Sequence, residues 1–138
     1  MAAGGLARLY HRLFLSNTAF YRFRKAHEQA LLSLKKTDAY LAKNDIRAAG
    51  NHLANVLQDF LAAKLGIEKR IFSLREIVDR LKPRGLVPHT AEKLRNIWET
   101  LDLFQFAPAQ VRPEEVRSAT QTVEHVMEEV ERQIVWKK

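Results

Sequence analysis

No cysteine occurs among the 138 residues, which excludes disulfides and thiolate chemistry and leaves the redox compartment undetermined. Glycine is scarce and scattered, at Gly4, Gly5, Gly50, Gly66 and Gly85. A phosphate cradle needs consecutive glycines ahead of a helix, so that backbone N–H groups converge on the anion; nucleotide binding therefore has no support. No apolar run approaches the roughly 18 residues of a membrane span. The opening Met-Ala-Ala-Gly-Gly lacks a basic n-region and does not read as a secretory signal. Strand-type alternation, internal repeats and low-complexity tracts are also missing.

Residues that carry chemistry are present but not assembled. His11, His27, His52, His89 and His125 include no pair at a ligand spacing of three or four, and no HExxH or EF-hand pattern occurs. Metal binding is not expected. Ser16, Ser33, Ser73 and Ser118 lie in no nucleophile-elbow motif. Glu114 with Glu115, and Glu128 with Glu129 and Glu131, read as solvated helix faces with nothing to desolvate them. No catalytic residue and no cofactor are expected.

The charge is unevenly spread. Residues 1–25 hold five basic side chains (Arg8, Arg12, Arg22, Arg24, Lys25) and no acidic one. Removing these five from the 23 basic residues leaves 18 against 16 acidic, so the formal +7 belongs largely to the N-terminal arm. That weakens an argument from overall basicity to nucleic acid. Within Leu6–Lys25 the arginines interleave with Leu9, Tyr10, Leu13, Phe14, Leu15, Phe20, Tyr21 and Phe23. Such a mixture suits a membrane–water boundary, where charges reach headgroups and rings sit at the interface. The five basic residues are the expected membrane-surface contacts, on the cytoplasmic side by the positive-inside tendency. The competing reading is an ordinary first helix packing Leu9, Leu13 and Phe20 on the rest. Residues 1–25 are thus read as a basic juxtamembrane arm and residues 26–138 as one helical domain.

The clearest element is Ile46–Ile67. Ile46, Ala49, Leu53, Val56, Leu57, Phe60, Leu61 and Leu65 recur at three- and four-residue steps, making a stripe wide enough to face a core. Asn44 or Asp45 caps its start and Gly66 its end. A preceding helix runs from Ala19 or Ala26 to Lys43, with a stripe of Ala30, Leu31, Leu34, Thr37 and Leu41; the short link implies an antiparallel hairpin. Ser73-Leu-Arg-Glu76 is a capping box opening a short third helix to about Lys82, which buries Leu74, Ile77, Val78 and Leu81. Thr90 caps a fourth helix through Leu101, with Leu94, Ile97, Trp98 and Leu101 inward. Phe104, Phe106 and Pro108 follow as an apolar elbow. Pro113 suits a first helical turn, with Glu114 and Glu115 near the positive dipole end. The last helix reaches Trp136 on the stripe Val116, Ala119, Val123, Val126, Met127, Val130 and Ile134. The predicted fold is an all-α compact bundle of about five helices with an amphipathic basic N-terminal arm.

Several pieces together resemble the C-terminal cytoplasmic domain of the BatD family, bacterial aerotolerance-type membrane proteins. They are the helix hairpin, the FLAAKLGI ending at Ile67, the capped SLREIVDRL from Ser73, the turn at Gly85, and LRNIWETLDLFQFAP ending at Pro108. The likeness covers about residues 25–134. One departure stands at Gly50 and Asn51, where a bulky aromatic pair is expected. The resemblance implies the cytoplasmic part of a single-pass bacterial inner-membrane protein that docks MoxR-type AAA+ ATPases or von Willebrand A-domain membrane proteins in stress tolerance. No catalytic residues carry over.

The expected partner-binding residues are Arg80, Arg84, Leu86, Val87, His89 and Lys93, where apolar and basic groups sit on a turn that no helix stripe claims. The plainer reading is that Leu86 and Val87 close the core. The alternative function is a nucleic-acid-binding module using the third helix, the turn, the fourth helix and the arm, with Lys82, Arg84, Lys93 and Arg95 toward phosphates. The turn is longer than in a usual helix–turn–helix, and Glu76, Asp79, Glu92 and Glu99 dilute the charge, so nucleic acid is the disfavoured partner. A third reading is self-association through the last helix, should Val123, Val126, Val130, Ile134 and Trp136 overfill the core.

Overall fold

The structure, a computed structural model, describes residues 2–67 and 73–136, with side chains described from residue 18 onward. It is an all-α bundle: α1 (Ala2–Leu34), α2 (Thr37–Ala42), α3 (Ile46–Leu65), α4 (Leu74–Leu81), α5 (Pro88–Phe106) and α6 (Pro113–Gln133). Single 3-10 turns at Lys82–Arg84 and Pro108–Gln110 lead into α5 and α6.

The bundle is arranged around α3, which touches all five other helices. Its ends form as the sequence dictates. The Asp45 carboxylate accepts the Ala48 N–H at 3.1 Å, and Gly66 closes the helix at φ 69°. Every residue of its predicted stripe is buried. The stripe must be covered because an isolated helix of this length is marginal in water.

Gly50 turns the departure noted above into a packing device. It is buried where α3 meets α5, and a Cβ there would stand 2.6 Å from the Phe104 Cβ. Helix propensity favours alanine over glycine by about 1 kcal/mol, whereas overpacking a core costs roughly 1–3 kcal/mol. Because the opposing atom lies next to the α5 backbone, it cannot swing aside, and the clash prevails. Gly50→Ala is expected to destabilise the fold by about 1–2 kcal/mol in chemical denaturation. A more stable variant would show that α5 can shift freely.

Several boundaries differ from expectation. The first helix breaks after Leu34 instead of running to Lys43. The Ser33 carbonyl takes the Lys36 N–H at 3.1 Å and His52 Nε2 at 2.7 Å, which diverts the regular ladder into a turn. Thr90 does not cap α5; the helix starts two residues earlier at Pro88, with Val87 before it. At its other end α5 continues through Phe106, because no breaker precedes Pro108 and the residue before a proline avoids helix. Phe104 is therefore a buried helical residue and not part of an elbow. The last helix stops at Gln133, and Ile134–Trp136 leave it extended, with the Val135 N–H bonded to the Arg84 carbonyl at 3.2 Å. The expected boundary at residue 25 falls inside the continuous α1.

The last-helix stripe does not overfill the core. Val123, Val126, Val130 and Ile134 are all buried within the chain.

Candidate docking site

The corner between α4 and α5 was the expected contact surface. It starts from Ser73, whose hydroxyl accepts the Glu76 N–H at 3.2 Å and donates to the Glu76 carboxylate at 3.3 Å. α4 then buries Ile77, Val78 and Leu81. Past it, Arg84 turns inward. Its guanidinium donates to the carbonyls of Lys64 at 3.3 Å and Leu65 at 3.1 Å, satisfying orphan acceptors at the C-terminal end of α3. Leu86 is buried in the core. Arg84 thus caps a helix and Leu86 closes the core. Arg80, Val87 and His89 are exposed.

Lys93 joins a polar cluster between α5 and α6. Its ammonium donates to Glu129 Oε1 at 2.7 Å. The buried Thr90 donates to Glu129 Oε2 at 3.2 Å and accepts from Gln133 Nε2 at 2.8 Å. Gln133 Oε1 accepts the Val87 N–H at 3.1 Å, so a side chain of α6 does the work of an N-cap for α5. Glu129 is thus no freely solvated face. The Lys93 hydrogen bond and charge, with the Thr90 hydroxyl and the His89 charge, hold its carboxyl below the ordinary value against a partial burial that acts the other way.

The sign of the pH effect follows from that depression. The stability Glu129 contributes is present above the unfolded carboxyl value of about 4.3 and is lost as pH falls through the lowered folded value. Glu129→Gln is expected to cost about 1 kcal/mol at neutral pH and to flatten the acid limb of a melting-temperature profile. An unchanged acid limb would contradict this role. Lys82 sits 3.6 Å from Asp79, so three of the four basic residues suggested for phosphate contact (Lys82, Arg84 and Lys93) are engaged within the protein.

The arm is divided in its use. Arg22 donates to the Ile67 carbonyl at 3.3 Å, tying α1 to the end of α3. Arg24 and Lys25 are exposed, with Arg24 5.8 Å from the Phe20 ring centroid and Lys25 paired to Glu28 at 3.3 Å. The side chains of Arg8, Arg12, Leu9 and Leu13 lie outside the described residues. Trp136 packs edge-on against both Phe20 and Phe23, with ring centroids 5.4 Å apart in each case.

Beneath those rings lies a residue that the sequence reading passed over. Lys64 is 1 % exposed. Its ammonium donates to the Phe23 carbonyl at 2.8 Å, pairs with Glu131 and stands 4.0 Å from the Phe23 ring centroid. It joins α1, α3 and α6. A signal was available, since Lys64 follows Phe60 by four and Leu57 by seven and so falls on the apolar stripe.

An apolar groove lies elsewhere, along α5 and α6. A groove of ≈ 650 Å³ runs between them, with Ile97, Phe104, Ala119 and Val126 among its walls. Asn96, Thr100, Ser118 and Thr122 also line it. Leu103, on its edge, is 49 % exposed, and Phe106, one turn further on, is 83 % exposed. Neither was singled out as a contact residue. Helical spacing signals this only weakly, because α5 was expected to end at Leu101.

Among the described residues no group of three or more His, Asp or Glu side chains is placed to hold a metal ion. No described helix is long and apolar enough to cross a membrane. Comparison of the chain with protein-family models, curated proteins and solved structures found no match.

Proposed function

We propose that this chain is a non-catalytic protein–protein interaction domain at the cytoplasmic face of a bacterial inner membrane. In this reading it docks a soluble MoxR-type AAA+ ATPase or the von Willebrand A-domain proteins of the same stress-tolerance system. The observation that carries the docking role is the exposed apolar end of α5, where Leu103 lines an open groove and Phe106 stands in solvent three residues on, beside a second recess formed with Asp45, Arg47 and Gln105. Exposed aromatic side chains next to a concave apolar surface favour a partner, since such anchors carry most interface energy. The BatD-like pieces supply the class of partner, and the continuous α1 supplies a rod linking the basic arm to the bundle.

Binding of the purified chain to a MoxR-type ATPase tests this. Phe106→Asp with Leu103→Asp is expected to weaken binding at least 30-fold, an anchor-sized loss of about 2 kcal/mol, with little change in melting temperature. Failure to bind either partner class would overturn the reading. So would tight nucleic-acid binding that falls log-linearly with salt.

A further inference from the structure

We infer that the α5–α6 groove is the receptor for one kind of element, a basic amphipathic helix of a partner protein. This deepens the docking role proposed above and rests on it. The first argument is shape. The groove runs between two neighbouring helices from Lys93 to Phe104 on one side and from Glu115 to Val126 on the other. Twelve residues of helix are about 18 Å long, which admits three turns of a third helix laid in the apolar trough.

The second argument is charge. Positions three and four apart are neighbours on a helix surface. Glu92 and Glu99 therefore flank Asn96 and Leu103 on the outer edge of α5. Glu114, Glu115 and Glu128 flank Ser118 and His125 on the outer edge of α6. Four of these five carboxylates are exposed and Glu128 is half-buried. Glu115 faces Arg112 at 3.9 Å and Glu128 faces His125 at 3.9 Å, and among the described residues Glu92, Glu99 and Glu114 are in no ion pair with a basic side chain. The basic residue in the groove, Lys93, is already matched by Glu129. In all, α5 and α6 carry nine acidic against four basic residues, in a chain whose net charge is +7. An apolar trough with acidic edges selects a helix with an apolar stripe and lysine or arginine beside it, and repels the same helix with the charges reversed.

Amide NMR titration of the full chain with two synthetic 14-residue helical peptides tests the assignment. One is built of leucine and lysine, the other of leucine and glutamate at the same spacing. Expected is binding of the lysine peptide at least tenfold tighter than the glutamate peptide, with shifts confined to residues 93–106 and 114–128. Thr122→Trp, which fills the trough from an exposed position, and Glu92→Lys with Glu99→Lys should each weaken it tenfold or more. Equal binding of both peptides, or shifts elsewhere, overturns the inference. Concentration-dependent dimerisation that the lysine peptide abolishes also overturns it, because the occupant is then the basic arm of a second copy. If the lysine peptide misses the groove while the chain still binds the ATPase, the groove assignment falls and the docking role stands. If it fills the groove and neither partner class binds, the partner class falls with the role and the groove chemistry stands.

Discussion

Replacing Lys64 by alanine is expected to destabilise the fold by roughly 3–5 kcal/mol. The ammonium is enclosed among α1, α3 and α6, and truncation removes the donor to the Phe23 carbonyl, the partner of Glu131 and the cation over the Phe23 ring. It also leaves a cavity in the core. Lys64→Met separates the two contributions. Methionine fills most of the volume. The remaining cost is the Phe23 carbonyl left without its donor, about 1–3 kcal/mol, together with the buried Glu131 Oε2 left without its cation. Lys64→Met should therefore be clearly milder than Lys64→Ala. The double variant Lys64→Met with Glu131→Gln should cost less than the sum of its parts, since both lose the same ion pair. Chemical denaturation of the four proteins measures this. Strict additivity would show that the pair contributes nothing.

The second large effect is expected at Gly85, where two penalties coincide. Its φ of 119° lies where L side chains rarely sit, and a Cβ would stand 2.3 Å from the Gln133 carbonyl oxygen. That atom is backbone and cannot rotate away. Backbone strain of this kind costs about 1–3 kcal/mol, and the overpacking about as much again. Gly85→Ala is thus expected to lose about 3 kcal/mol or more. Gly66→Ala is the comparison. It meets the left-handed penalty at φ 69°, but its nearest neighbour is a Trp136 ring atom at 3.8 Å, an ordinary contact. It should lose only about 1 kcal/mol. A shared loss of about 1 kcal/mol would mean that the end of α6 and the tail after it move aside. Because that tail is bonded to Arg84 and carries Trp136, its displacement would also change the tryptophan emission.

These two sites show what the sequence makes legible and what it hides. α3 was readable to its caps because everything that defines it is local: a periodic stripe, an Asp before it and a Gly after it. Gly85 was readable as a turn, but not as the point where the turn crosses the end of α6, since that contact joins residues far apart in the chain. The intramolecular contacts of Arg84 and Leu86 were hidden for the same reason. Their partners at the end of α3 and in the core are not sequence neighbours, so local pattern leaves them unclaimed by any stripe. Lys64 belonged to the stripe yet was passed over, because a lysine there reads as an interruption until Glu131 and the Phe23 carbonyl are brought to it. The end of α6 was set by tertiary contact, with Ile134–Trp136 drawn off the helix toward Arg84 and the rings of α1. Phe106 became visible as a solvent-facing side chain only once α5 was seen to continue past Leu101.

The docking role makes a spatial claim as well as an energetic one. Hydrogen exchange of the chain, free and bound to a MoxR-type ATPase, tests that claim most directly. Slowed exchange concentrated in the C-terminal half of α5 and the facing turns of α6, with α4 and the Lys82–Val87 corner little changed, is the expected result. Protection centred on that corner, or no protection anywhere at saturating ATPase, would contradict it.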